Sequence, residues 1–259
     1  MKHYLSDKKF SLVLSGGGAL GLAHLGVLAD MQRIGLKPSE IIGTSMGGII
    51  GACLAIGMKE AEIYNLFGEF LKLTEWIKFS FGGNAVIKSS KIEKIFEKVF
   101  ENRMMSDTQI PLNLITTELT VGQKRVFGAN DNVLIKDAVL ATMAIPGIFE
   151  ERVIEGNVYG DGFLCENLGI TEAVYSDVLA VDVLGACSFT KELPKGLLKS
   201  SNVASMLDRS MRILIYNQTK LLLKSSNKNI ILLEPKTYSY KTFHFNKLDE
   251  IRELGLGLL

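Results

Sequence analysis

Cysteine is scarce in this chain. Cys53, Cys165 and Cys187 are odd in number and far apart along 259 residues. They fit neither a zinc-ligand spacing nor a disulfide framework. Cys53 lies in an apolar stretch, so a buried, reduced thiol is expected there, and with it a reducing compartment. Net charge is also nearly missing: Lys and Arg number 29 against 28 Asp and Glu. That balance excludes bulk electrostatic attraction to nucleic acid, and any lipid contact must come from a local patch. Long apolar runs are absent, and no stretch approaches the ~18 unbroken apolar residues of a transmembrane helix. The run Phe10–Leu14 follows Lys2, Lys8 and Lys9. It is shorter than the about 7–15 residues of a secretory apolar core, so it predicts a strand instead of a signal peptide. Histidine is limited to His3, His24 and His244, which narrows the choice of a base.

Apolar residues make up 47% of the chain, enough for a sizeable core. The first 60 residues read strand, glycine-rich turn, helix, and then the same again. Strand one is Phe10–Leu14; its helix spans about 19–34 and is closed by Gly35, with Pro38 blocking continuation. Strand two holds Ile41-Ile42, and its helix spans 46–56. This order implies parallel strands covered by helices. Apolar spacing predicts further helices at 59–73, 90–102, 134–143, 203–223 and 248–254. Strands are expected at 112–119 and 124–127 as a hairpin, at 152–155 and 158–160 around Gly156-Asn157, and at 178–184 and 230–233. Residues 76–90 read as a loop. With no repeat, low-complexity tract or long linker, 1–259 is expected to form one α/β domain.

Gly43-Thr44-Ser45-Met46-Gly47 follows the apolar pair Ile41-Ile42 and precedes a helix. In that context G-x-S-x-G is the sharp strand–turn–helix bend that presents a serine as a nucleophile. Gly43 and Gly47 let the two elements approach without a Cβ clash. The helix N-terminus brings free N–H groups and partial positive charge beside Ser45.

Gly16-Gly17-Gly18-Ala19-Leu20-Gly21 matches the dinucleotide fingerprint G-x-G-x-x-G. A dinucleotide site needs an acidic residue at the end of strand two. Here that strand ends in Gly43-Thr44-Ser45, and Glu40 lies at its other end. The loop reads instead as an anion-binding nest of backbone N–H groups. Both turns open at the C-terminal edge of the sheet, so the nest can face Ser45.

A base is then required. His3 sits near the N-terminus, and His24 lies inside the first helix and reads as a satisfied buried histidine. His244 follows Ser45 in the chain but sits among Tyr238, Tyr240, Phe243 and Phe245 without a turn signature. Asp161 follows a short strand and is flanked by Gly160 and Gly162, which let a carboxylate project from a tight turn.

The run Ala141-Thr142-Met143-Ala144-Ile145-Pro146-Gly147-Ile148-Phe149, then Asp161-Gly162, then Glu166-Asn167-Leu168 resembles the C-terminal half of the patatin-like phospholipase domain. The N-terminal half agrees through Gly16-Gly17-Gly18 with Gly21, His24, Gly26-Val27-Leu28 and Gly43-Thr44-Ser45-Met46-Gly47-Gly48. These motifs stand in the family's order over about residues 10–185.

The resemblance implies a three-layer α/β/α sandwich with a mostly parallel sheet. It implies a serine acyl hydrolase in which Ser45 is the nucleophile, Asp161 the base, and Gly16, Gly17 and Gly18 the oxyanion hole. Family members hydrolyse acyl esters of phospholipids, lysophospholipids or neutral lipids, so the expected partner is a lipid ester, with no metal or cofactor and no nucleic acid. Three positions depart from the family pattern. Phe163 follows Asp161-Gly162 where glycine or alanine is usual, Leu20 stands where many bacterial relatives are basic, and Gly169 replaces a usual proline.

A free aspartate with pKa ≈ 3.9 is a weak base, so the dyad requires burial around Asp161 or strong oxyanion stabilisation. Trp76-Ile77-Lys78-Phe79-Ser80-Phe81 has a composition suited to a lipid–water boundary, as do Lys191, Lys195 and Lys199 among Leu193, Leu197 and Leu198. A cytoplasmic protein in peripheral contact with the inner membrane face is expected. Two other readings stay open: a regulatory or binding protein of negligible turnover on the same fold, and an α/β-hydrolase with His244 as base.

Overall fold

The computed structural model describes residues 2–74, 90–190 and 200–259. The stretch from Trp76 to Phe81 and the lysines Lys191, Lys195 and Lys199 lie outside the described residues. The helices are α1 (Lys2–Leu5), α2 (Ala23–Ile34), α3 (Ser45–Ala55), α4 (Glu60–Thr74), α5 (Ser90–Phe100), α6 (Ile135–Thr142), α7 (Ser200–Ser225) and α8 (Leu248–Glu253). The strands are β1 (Phe10–Leu14), β2 (Glu40–Thr44), β3 (Leu112–Glu118), β4 (Gln123–Phe127), β5 (Arg152–Ile154), β6 (Asn157–Asp161), β7 (Asp177–Val181) and β8 (Asn229–Leu233).

The eight strands form one sheet in the order β5-β6-β3-β2-β1-β7-β8, with β4 also paired to β3. Strands β3, β2, β1, β7 and β8 are mutually parallel, while β4 and β6 run antiparallel to β3, and β5 antiparallel to β6. The mostly parallel core and the two hairpins are as the sequence predicts.

Alternation along the strands explains the layers. Phe10, Leu12, Leu14, Ile41, Leu179 and Val181 enter one core with α2, α3, α6 and α8. Val13, Ile42, Ile115, Val178 and Ala180 face the other way, into a second core that Leu223 of α7 joins. Both faces of the parallel strands are thus covered, which accounts for their nearly continuous apolar sequence.

Several boundaries differ from expectation. A 3₁₀ turn, Gly18–Leu22, precedes α2, because the glycine loop enters the helix tightly. The second hairpin turns on Glu155 (φ 51°) and Gly156 (φ 84°), and Asn157 already belongs to β6. Two consecutive positive φ angles suit the twist of a two-residue hairpin loop. Strand β7 stops at Val181, and Asp182 to Leu184 turn towards the C-terminal edge of the sheet. Glu40 begins β2 and accepts hydrogen bonds from the Ser11 hydroxyl and the Val174 N–H, at the end of the sheet away from the glycine turns. No helix among the described residues is long and apolar enough to cross a membrane.

Candidate active site

Strand β3 assembles the site along one edge. Its first half pairs with β2, ending at Ile115 opposite Thr44, and its second half pairs with β6, beginning at Thr116 opposite Asp161. The C-terminal ends of β2 and β6 therefore meet head to head. Ser45, the next residue after β2, and Asp161, the last of β6, come together there.

Ser45 opens α3 with φ 52°, a left-handed conformation that a residue with a side chain rarely adopts. Its surroundings hold it there. A Cβ on Gly43 would stand 2.5 Å from Gly48 Cα, and one on Gly47 would stand 2.4 Å from the Leu14 carbonyl oxygen. The strand and helix are in backbone contact, and only glycine permits it. The Ser45 N–H donates to Thr142 Oγ1 at 2.9 Å, and the Thr142 hydroxyl in turn donates to the Ile115 carbonyl. Ser45 remains 5% exposed.

Asp161 is completely buried. Its Oδ1 accepts the Phe163 N–H at 3.0 Å, and its Oδ2 has no hydrogen-bond partner. Burial raises its pKa from 3.8 to about 7, while the Phe163 N–H and the nearby Ser45 hydroxyl pull it back. The hydroxyl acts through an approach looser than a formed hydrogen bond, since Oδ2 is unpartnered. The carboxyl is thus poised to change charge near neutrality. Gly162 is required because a Cβ there would lie 2.2 Å from the Ile115 carbonyl oxygen. Phe163 sits in the 3₁₀ turn Gly162–Leu164 without a positive φ, so this departure from the family pattern is unstrained.

The glycine loop divides into two parts. Gly16 is clamped by Asn167: its N–H donates to the Asn167 carbonyl and its own carbonyl accepts Asn167 Nδ2, both at 3.3 Å. The N–H of Gly16 is therefore engaged. Those of Gly17 and Gly18 have no partner among the described residues, and both glycines line the cleft with Ser45 and Asp161.

Behind the loop lies His24, buried as expected but only half satisfied: Nε2 is 2.9 Å from the Ser15 carbonyl oxygen, while Nδ1 has no partner among the described residues. A carbonyl only accepts, so Nε2 carries the proton. Burial lowers the ring's pKa to about 4 and keeps it neutral. The Ser15 hydroxyl accepts the Val183 N–H at 3.0 Å. Asp182, the residue before Val183, is also buried, and desolvation raises it to about 7. The Asn167 segment is pinned from outside by Glu166, which accepts Lys124 Nζ at 2.6 Å and the Thr171 N–H at 3.1 Å.

Above this floor is a cleft of about 460 Å³. Its walls are apolar, built from Ile145, Ile148, Phe163, Leu184, Met211 and Phe243, with Asp208, Arg212, Lys241 and His244 at one corner. The contributions of α7 and of residues 241–244 are not evident in the sequence. The spacing of Asp208 and Arg212 was one available sign: Arg212 Nε lies 2.9 Å from Asp208 Oδ2, and Nη2 reaches the Tyr240 carbonyl at 3.1 Å. His244 does lie in a turn, contrary to the sequence reading, with its N–H on the Lys241 carbonyl and its Nδ1 accepting the Lys241 N–H. It lines the cleft, but no hydrogen bond among the described residues joins it to Ser45 or Asp161. Its pKa is lowered by burial and by the nearby cations Lys241, Lys247 and Arg212. Cys53 is buried, and its thiol is pushed up to about 12. Among the described residues no group of three or more His, Cys, Asp or Glu is placed to hold a metal ion.

Comparison with known proteins fits this geometry. The family model described as patatin-like phospholipase matches residues 12–174. Lysophospholipase NTE1 of Scheffersomyces stipitis is 25% identical over 281 aligned positions, which cover 98% of this chain and 18% of that protein. Patatin-like phospholipase domain-containing protein 6 of Homo sapiens is 23% identical, covering 97% of this chain and 20% of that protein. The chain thus spans under a quarter of the length of these curated relatives. The crystal structure of VipD from Legionella pneumophila is similar with a TM-score of 0.49 at 13% identity, covering 95% of this chain and 65% of that one. The match over residues 12–174 takes in the glycine loop, the elbow and the Asp161 turn, and the chain belongs to the patatin-like phospholipase family.

Proposed function

We propose that the chain is a serine acyl hydrolase that cleaves carboxylic esters of phospholipids, lysophospholipids or related lipids with a Ser45–Asp161 dyad. One observation carries this reading: a strained serine and a wholly buried carboxyl share the floor of an apolar cleft beside two backbone N–H groups that have no partner among the described residues. The acyl chain lies along the apolar walls. Asp161 Oδ2, which has no other partner, takes the Ser45 proton as Oγ attacks the ester carbonyl. The N–H groups of Gly17 and Gly18, with the N-terminus of α3, stabilise the oxyanion. The protonated Asp161 then passes its proton to the departing alcohol oxygen, leaving an acyl-Ser45 ester. Water deprotonated by the same carboxylate releases the fatty acid and restores Ser45. A carboxyl with a pKa near neutrality suits both halves of this cycle better than one near 4.

The relatives named lysophospholipase and phospholipase support a lipid substrate. A single domain, with residues 186–259 completing the unit that carries the motifs, agrees with α7 and residues 241–244 walling the same cleft.

The test is labelling by a fluorophosphonate probe and hydrolysis of a short p-nitrophenyl ester. Wild type labels and turns over; Ser45→Ala does neither, and Asp161→Asn loses about 10²–10⁴ in rate. His244→Ala changes the rate only modestly. A folded Ser45→Ala protein with unchanged hydrolysis overturns the assignment. Wild type that neither labels nor hydrolyses favours the binding-protein reading. His244→Ala as damaging as Asp161→Asn favours a triad.

A further inference from the structure

Helix α7 carries an apolar ridge that faces outward. Leu207 (62% exposed), Met211 (38%), Leu214 (66%) and Leu221 (68%) are spaced so that they lie along one side of the helix. At 1.5 Å per residue the ridge is about 21 Å long. Exposed apolar side chains also occur singly elsewhere, but here four share one side of a single helix, and an apolar strip of this kind marks an interaction surface.

Its surroundings say what it meets. The upper end of the ridge is the cleft entrance, because Leu207 and Met211 also line the cleft that holds Ser45. Gln218 stands between Leu214 and Leu221, and its Nε2 donates to the Cys165 carbonyl, so the ridge runs beside the turn that follows Asp161. Leu164 of that turn is exposed as well. The flank of α7 is basic. Its one acidic residue, Asp208, is engaged by Arg212 and Thr242, which leaves Lys220 and Lys224, on either side of Leu221 in the chain, without an acidic counterpart on the helix, while Arg209 turns away to the Thr190 carbonyl. A second protein seated on the ridge would also cover Leu207 and Met211 and close the entrance. A lipid surface is the occupant that leaves the route to Ser45 open, and it matches both the apolar strip and the cations beside it.

We propose that the α7 ridge is the face by which this protein sits on an anionic phospholipid bilayer, with Leu214 and Leu221 in the acyl boundary, Lys220 and Lys224 among the head groups, and the cleft opening onto the membrane. This rests on the reading of the cleft as a lipid hydrolase.

The experiment is flotation of the full chain with vesicles of phosphatidylcholine, with and without phosphatidylglycerol. Each protein is also assayed on a soluble short-chain ester and sized by analytical ultracentrifugation. Leu214 and Leu221 lie outside the cleft lining, so Leu214→Glu/Leu221→Glu is expected to keep its rate on the soluble ester. Its vesicle binding is expected to fall by about tenfold or more. Lys220→Ser/Lys224→Ser is expected to weaken binding only to the anionic vesicles, and less so at high salt. Unchanged flotation of the Leu214→Glu/Leu221→Glu protein overturns the proposal. So does a wild-type dimer that this variant converts to monomer, since a second copy would then own the ridge. Hydrolysis of the soluble ester without vesicle binding sinks this inference and spares the functional reading. Vesicle binding without hydrolysis does the reverse.

Discussion

Thr44 and Asp161 pair with adjacent residues of β3, Ile115 and Thr116, so the ends of two oppositely directed strands face each other along one sheet edge. The serine that follows Thr44 and the carboxyl of Asp161 are thereby placed by the hydrogen-bond ladder of the sheet. Thr142 reinforces the junction by bonding both the Ser45 N–H and the Ile115 carbonyl.

Activity should follow the ionisation of Asp161. In the proposed dyad its carboxylate form is the base, and burial raises its pKa to about 7. The kcat/KM on a soluble ester should therefore rise with pH and level off above about 7, and at one pH unit below the pKa it should be about tenfold lower. Stability should move the other way. Between the ordinary aspartate value of 3.8 and about 7 the folded chain holds a proton that the unfolded chain has released, so the fold loses stability as pH rises through that window. The Tm of Asp161→Asn relative to wild type should therefore increase from pH ~4 to pH ~8. A flat rate profile, or a Tm difference independent of pH, would contradict the buried-base account.

Thr142→Val keeps the side-chain shape but leaves the Ser45 N–H and the Ile115 carbonyl unpaired. Each unsatisfied buried group costs about 1–3 kcal/mol, so urea midpoints should fall clearly. The kcat should drop with little change in KM, because the elbow loses its anchor while the cleft walls stay. Thr142→Ser, which keeps the hydroxyl, should recover most of both. Equal rates in the Val and Ser variants would show that the bond does not set the elbow.

Phe163 lines the cleft two residues from Asp161, and it holds the carboxylate through its backbone N–H, not its ring. Phe163→Ala should therefore leave short-ester hydrolysis nearly intact and widen the acyl site. The ratio of kcat/KM for long over short acyl esters should rise by more than about twofold, which is roughly 0.4 kcal/mol in barrier. An unchanged ratio would remove the ring from substrate selection.

His24 positions the Ser15 carbonyl at the base of the glycine loop through Nε2. His24→Leu should lower kcat by about tenfold or more through misplaced oxyanion donors, and His24→Gln, which retains a side-chain N–H, should lose less. The ring also leaves a mark on stability. Its folded pKa is about 4 against 6.5 for an ordinary histidine, so the unfolded chain takes up a proton first and stability falls as pH drops through that window. The stability gap between wild type and His24→Gln should shift over pH ~6.5 to ~4 and nowhere else nearby.

Much of the N-terminal half is readable from the residues alone. The junction of β2 and α3 admits only glycine at Gly43 and Gly47, where backbone meets backbone, and such positions leave a fixed spacing in the sequence. Asp161 is less legible, because an Asp-Gly pair is a common turn; it is singled out by the family pattern around it. The cleft walls are hardest to read. Leu207, Met211 and Ile215 sit at helical spacing, and that spacing is the same whether a face covers a core, lines a cleft or meets solvent. The role of Thr142 depends on a bond to a residue far away in sequence, which no local pattern encodes. The division of the glycine loop, with Gly16 engaged by Asn167 and the Gly17 and Gly18 N–H groups without a partner among the described residues, likewise appears only when distant segments are brought together.

The edge shared by β2 and β6 also has a meaning in time. Synthesis delivers the glycine loop and Ser45 first, then β3, and Asp161 much later, as the last residue of β6. Until β6 docks beside Thr116, the Asp161 carboxyl is not held beside the serine. On the proposed dyad, the elbow therefore forms before its base is in place, and the cleft is walled only when α7 and residues 241–244 follow.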